Sequence, residues 1–129
     1  MAQIRRREVR EYFKIVKRED GVWVSAFTKG KGKVVYREGE WVQAPTWLRK
    51  LGYHLLCFQT FEQAKIFLEK NKKKGLAIWK VEGEEEVSLP RSLSPYELFR
   101  GKVLENLHLF GFPPGSVNLK RVKLLIRVS

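Results

Sequence analysis

Apolar and polar positions along the chain fall into short blocks that change period several times. Tyr12–Arg18 (YFKIVKR) and Val22–Thr28 (VWVSAFT) are rich in β-branched and aromatic residues, and Asp20-Gly21 lies between them. That dipeptide suits a two-residue hairpin loop, so the two blocks predict an antiparallel hairpin. The KGKGK segment, Lys29–Lys33, joins glycine freedom to repelling charge and reads as a mobile loop tip. A third strand is expected over Lys33–Tyr36, ending at Glu38-Gly39. Trp41, Val42, Pro45, Trp47 and Leu48 predict an irregular or short helical stretch whose indoles cover a core edge.

His54–Phe58 (HLLCF) reads as a buried strand, followed by Thr60 as a helix N-cap with Gln63 three residues on, the capping-box spacing. Phe61, Ala64, Phe67 and Leu68 recur at helical steps and turn one stripe inward. Lys72–Gly75 supplies cations and a glycine stop at the helix end, and Leu76–Glu82 predicts the next strand. Glu84-Glu85-Glu86 is expected to be a solvated turn. Ser94-Pro95-Tyr96-Glu97 opens a second predicted helix with Tyr96, Phe99, Val103, Leu104 and Leu107 on its apolar face, ending before Gly111. In Asn118–Val128, Val122, Leu124, Ile126 and Val128 alternate with Lys123, Leu125 and Arg127, which predicts a strand with a basic outer face. The sum is an α+β fold: an antiparallel-rich sheet of about six strands with two helices in a single domain over residues 11–129, preceded by a basic arm, residues 1–10.

Composition narrows the class further. Of the 129 residues, 43% are hydrophobic and 12% aromatic, which is enough to build a core despite 31% charged residues. No run reaches the apolar length of a membrane span, and charges stand where a signal peptide needs its apolar segment, so a cytoplasmic protein is expected. Cys57 is the sole cysteine, which excludes an internal disulfide and a cysteine-based zinc site within one chain. The charged set is 15 Lys, 11 Arg and 13 Glu against one Asp, with few Asn, Gln, Cys and Met, a palette like that of hyperthermophile proteins.

The net charge of +12 is uneven: residues 1–52 carry 13 basic and 6 acidic side chains, 53–90 carry 6 of each, and 91–129 carry 7 basic and 2 acidic. Charge concentrated at the two ends points to nucleic acid or another polyanion as partner, bound by Arg5, Arg6, Arg7, Arg10, Lys29, Lys31, Lys33, Lys120, Arg121, Lys123 and Arg127. Indoles such as Trp23 and Trp41 would stack on unpaired bases. The competing expectation is a protein partner or a second copy of the chain, met through Trp41, Trp47, Phe110, Phe112 and neighbouring prolines.

Catalysis is not expected. Cys57 sits between apolar neighbours without an activating base, and His54 and His108 are too few for a triad or metal set. Glu84–Glu86 could offer paired carboxylates, but no acid, base and nucleophile converge in the pattern. No Walker-type loop or dinucleotide fingerprint is present, and no cofactor is expected.

In the order YFKIVKREDGVWVSAF, VVYREGEWVQAP and GYHLLCFQTFEQAKIFLE, spanning roughly residues 11–82, the chain resembles small uncharacterised proteins of phages, plasmids and thermophile viruses. The shared signals are an aromatic-led hairpin, a Tyr-x-x-Gly turn and a strand entering a Phe-x-Thr-x-x-x-Ala helix, all of them packing and turn features. The strand-to-helix portion is also loosely similar to ADP-ribosyltransferase-like domains. That resemblance implies an Arg or His, a Ser-Thr-Ser-like strand and a Glu; His54, Thr60 and Glu85 are the residues available. The serine motif is absent, a departure that weighs against NAD chemistry.

Overall fold

The computed structural model describes residues 4–6 (backbone), 8–26, 33–50, 52–71, 74–89 and 114–129. In chain order the elements are β1 (Ile4–Arg6), β2 (Arg10–Glu19), β3 (Val22–Ser25), β4 (Val35–Tyr36), β5 (Trp41–Val42), α1 (Thr46–Lys50), β6 (Leu55–Phe58), α2 (Phe61–Lys70), β7 (Leu76–Val87) and β8 (Ser116–Arg127). The fold is α+β, with every pairing between named strands antiparallel.

The β2–β3 hairpin turns at Asp20 and Gly21, whose φ values of 51° and 80° are both left-handed, as a type I′ loop requires. A Cβ on Gly21 would meet nothing within 4 Å, so glycine is there for its backbone angle and not for lack of space. Thr60 caps α2 as its spacing predicts, its hydroxyl accepting from the Gln63 amide at 3.2 Å.

One eight-stranded sheet holds all the strands and closes on itself. β2 runs beside β7 from Arg10↔Gly83 to Lys17↔Leu76. β7 runs beside β8, which on its other edge takes β6 from Leu55↔Leu119 to Phe58↔Ser116 and then β5. β6 returns to β2 at Phe13↔Phe58, completing a small barrel. β3 and β4 extend from β2. Ile4–Arg6, read from sequence as part of a basic arm, pairs with β7 at Val87 and Glu86, beyond the point where β2 leaves that edge.

Period-two alternation sorts side chains between the barrel interior and its outside. Tyr12 and Val16 of β2, with Ala77, Trp79 and Val81 of β7, join Tyr36, Leu55, Cys57, Leu119, Val122 and Leu124 in the larger core. Their neighbours Ile15 and Ile78 point the other way, into a second cluster with Phe58 and Ala64, against which Phe61, Phe67 and Leu68 of α2 pack. The helical stripe read from sequence is the lid on that second cluster.

Two expectations are corrected. Glu84–Glu86 is not a turn but part of β7, opposite β8 through Glu84↔Arg121 and Glu86↔Leu119. Ile126 and Val128 do not point inward; they are 59% and 40% exposed. The ladder passes from Lys80↔Ile126 to Val81↔Leu124, so Leu125 is an unpaired bulge residue and the inward set switches face beyond it. β1 and β5, too short to carry a period of their own, join the six strands expected from sequence. The helix predicted from Ser94 lies outside the described residues.

Candidate nucleic-acid interface

Register places the basic residues of β8 directly opposite the acidic run of β7. Lys123 pairs with Glu82 at 3.0 Å, Arg121 with Glu84, and Lys120 with Glu85 at 3.7 Å. Glu86 accepts from the Tyr12 hydroxyl at 3.3 Å. Trp41, opposite Lys123 on β5 and 37% exposed, lies beneath two of these cations, with Lys123 Nζ at 5.0 Å and the Arg121 guanidinium at 5.9 Å from the ring centre. This outer face is a strip of paired charges with an indole at its side.

Other candidate cations are also paired. Arg10 meets Glu8 at 2.7 Å, and Lys33 meets Glu19, which a second cation, Lys17, approaches at 3.6 Å. The hydrogen bond from Lys33, the largest cause, together with both positive charges outweighs the effect of burial and holds the Glu19 carboxyl below its usual range. Arg5 and Arg6 lie on β1, two strands from β8 across β7, in rows Ile4–Val87–Asn118 and Arg6–Glu86–Leu119. The two basic ends of the chain therefore come within about 10 Å, two strand spacings, with the glutamate-bearing strand between them. Arg7, Lys29, Lys31, Phe110, Phe112 and His108 lie outside the described residues.

Arg127 is different, and it brings in a residue that sequence reasoning passed over. It lies opposite Trp79, while Arg18 lies opposite Trp23. Both guanidinium centres stand 5.4 Å from the Trp23 ring centre, and Trp79 meets Trp23 edge-on at 5.7 Å and 70°. Both arginines are exposed, and neither forms an ion pair with an Asp or Glu side chain among the described residues. Arg127 Nε donates to the main-chain oxygen of Ser129 at 3.0 Å, leaving its terminal nitrogens. Only tertiary proximity gathers this cluster, so no local pattern could reveal it.

The chemistry-bearing groups inside the barrel are held quiet. Burial pushes the Cys57 thiol up to about 11, which keeps it protonated and inert at neutral pH. Lys14, 7% exposed, donates from Nζ to the Leu56 carbonyl at 2.7 Å and lies over the Tyr36 ring at 5.2 Å. Burial lowers its pKa and raises that of Tyr36 well above the usual range. His54 is lowered by burial and then by the nearby cations Lys120 and Arg49, so its imidazole is neutral at pH 7. His54, Thr60 and Glu85 each have structural engagements: the His54 amide donates to Asn118, Thr60 caps α2 and Glu85 pairs with Lys120. No metal-binding cluster of His, Cys, Asp or Glu exists among the described residues, and no described helix is long and apolar enough to cross a membrane.

Asn118, fully buried, ties three segments together: its Oδ1 accepts from the His54 amide at 3.0 Å, and its Nδ2 donates to the carbonyls of Gly52 and Ser88 at 3.0 and 3.1 Å. It fixes the loop before β6 and the end of β7 to the start of β8, and so sets the register that pairs the charges of the outer strip. No family model, curated protein or solved structure matches the chain.

Proposed function

We propose that the protein binds nucleic acid, or a polyanion of like charge density, through its basic N-terminal and C-terminal segments in the cytoplasm. The observation that carries this reading is the +12 net charge combined with surface indoles that each lie beside two cations, Trp41 by Arg121 and Lys123, and Trp23 by Arg18 and Arg127. Cations neutralise phosphates and release counterions, while neighbouring aromatic faces accept unpaired bases. The internal pairing of Lys120, Arg121 and Lys123 with glutamates means that phosphates must compete for them, which lowers affinity.

The test is fluorescence anisotropy with labelled single- and double-stranded DNA and RNA of equal length at low salt. Saturable binding, tighter for single strands, is the expected result. Absence of binding to all four probes would overturn the reading and favour a protein partner at the Trp41 surface.

A further inference from the structure

We propose that Arg18, Trp23 and Arg127 form a subsite for one unpaired nucleotide of a single-stranded nucleic acid, with the guanidiniums on its phosphates and its base stacked on the guanidinium–indole layers. The inference rests on the polyanion reading and says where on the molecule a strand is held. Seven ion pairs join described residues, and between them they occupy the cations of β8's outer face, Lys33, Lys17, Lys80 and Arg10. Arg18 and Arg127 stand apart from all of them. A phosphate arriving here displaces no Asp or Glu side chain among the described residues.

The site is also held in shape before anything binds. Both guanidiniums lie against one indole at 5.4 Å, and that indole is fixed edge-on by the buried Trp79. Arginine fixed on an aromatic ring loses less side-chain freedom when it binds phosphate, and its plane is itself a stacking surface for a base. Trp79 Nε1 is buried without a hydrogen-bond partner, in a ring that is 5% exposed. Charge complementarity selects the occupant: two cations that pair with no Asp or Glu side chain among the described residues, and stacked planes, suit a flexible strand with accessible bases, whereas a duplex hides its bases.

The experiment measures anisotropy of a fluorescein-labelled oligothymidylate, its duplex with oligoadenylate, and an inorganic polyphosphate competitor. Arg18→Gln/Arg127→Gln is compared with wild type and with Lys120→Gln/Arg121→Gln/Lys123→Gln, each checked for native circular dichroism. The expected result is at least tenfold weaker binding of the single strand by the double variant, a smaller loss for the triple variant, and a salt slope shallower by about 1.4, two phosphates at roughly 0.7 each. Should the double variant lose its fold, Arg18→Lys/Arg127→Lys keeps charge while removing the planar donors, and it too is expected to weaken single-strand binding. Wild-type binding left unchanged by these variants overturns the subsite alone. Equal losses on single strand and duplex overturn the base-stacking part. A wild-type protein that binds none of the probes overturns the functional reading beneath it.

Discussion

Replacing Asn118 with leucine isolates the polar tie that sets the barrel's register. The two side chains are close in size, so the change removes hydrogen bonds while leaving little cavity. Three are lost, from the His54 amide and to the Gly52 and Ser88 carbonyls, all between 3.0 and 3.1 Å. At a net ~1 kcal/mol each, the loss is about 3 kcal/mol before any gain from burying leucine in place of an amide. Unfolding entropy near 60 °C is about 2.1 cal/mol/K per residue, or ~0.27 kcal/mol/K for a chain of this length, so the melting midpoint should fall by roughly 10 °C. Asn118→Asp keeps the acceptor for His54 but turns the other oxygen toward two carbonyls. Its buried carboxyl is expected to have a raised pKa, so this variant should lose further stability as pH rises through that pKa. Calorimetry gives the midpoint, and amide exchange at His54 reports whether that bond has opened. A midpoint within 2 °C of wild type, with His54 exchange unchanged, would refute the assignment of Asn118 as the tie.

Three other outcomes follow from groups inside the barrel. A Cβ on Gly83 would lie 2.5 Å from Leu119 and 2.9 Å from Tyr12, so Gly83→Ala should cost about 1–3 kcal/mol in a urea titration; a neutral effect would mean the two strands pack less tightly there. The Cys57 thiol, raised from 9.0 to about 11, favours the folded state by about 3 kcal/mol once fully expressed. That contribution is whole below pH 9 and is lost as pH rises through 11, so Cys57→Ala should soften alkaline unfolding, and native Cys57 should resist a thiol reagent at pH 8 that labels the unfolded chain. Lys14 has the opposite sign: burial holds its pKa below the ordinary 10.5, so the unfolded chain binds its proton more tightly and stability rises with pH in the window below 10.5. Lys14→Met should flatten that rise in melting midpoint, and an unaltered pH profile would show the amine to be solvated.

Much of the fold is written in local pattern. Asp20-Gly21 specifies a hairpin because only residues tolerant of positive φ fit a type I′ loop, and Thr60 announces a helix because it can accept from Gln63. What local pattern cannot carry is partnership between distant strands. Glu84–Glu86 reads as solvated because its counter-charges, Lys120 and Arg121, lie some 35 residues away in sequence. The carbonyl that receives Lys14, that of Leu56, belongs to another strand, so the residues around Lys14 give no sign of it. Leu125 interrupts the apolar–basic alternation between Lys123 and Arg127, but a third apolar residue in a row does not by itself announce the bulge reversing Ile126. The Trp23 cluster follows the same rule: Arg18 lies opposite Trp23 across the hairpin, but Arg127 reaches the indole only after the sheet closes.

The most direct measurement of polyanion binding is a salt titration of wild-type affinity for one labelled single-stranded oligonucleotide, followed from about 20 mM to 300 mM monovalent salt. Counterion release predicts a straight line in log Kobs against log salt with a negative slope, near −0.7 per phosphate engaged, and a slope of −2 or steeper if the paired and unpaired cations act together. Affinity that stays flat across this range, or is missing at its low end, would contradict phosphate binding as the purpose of the charge.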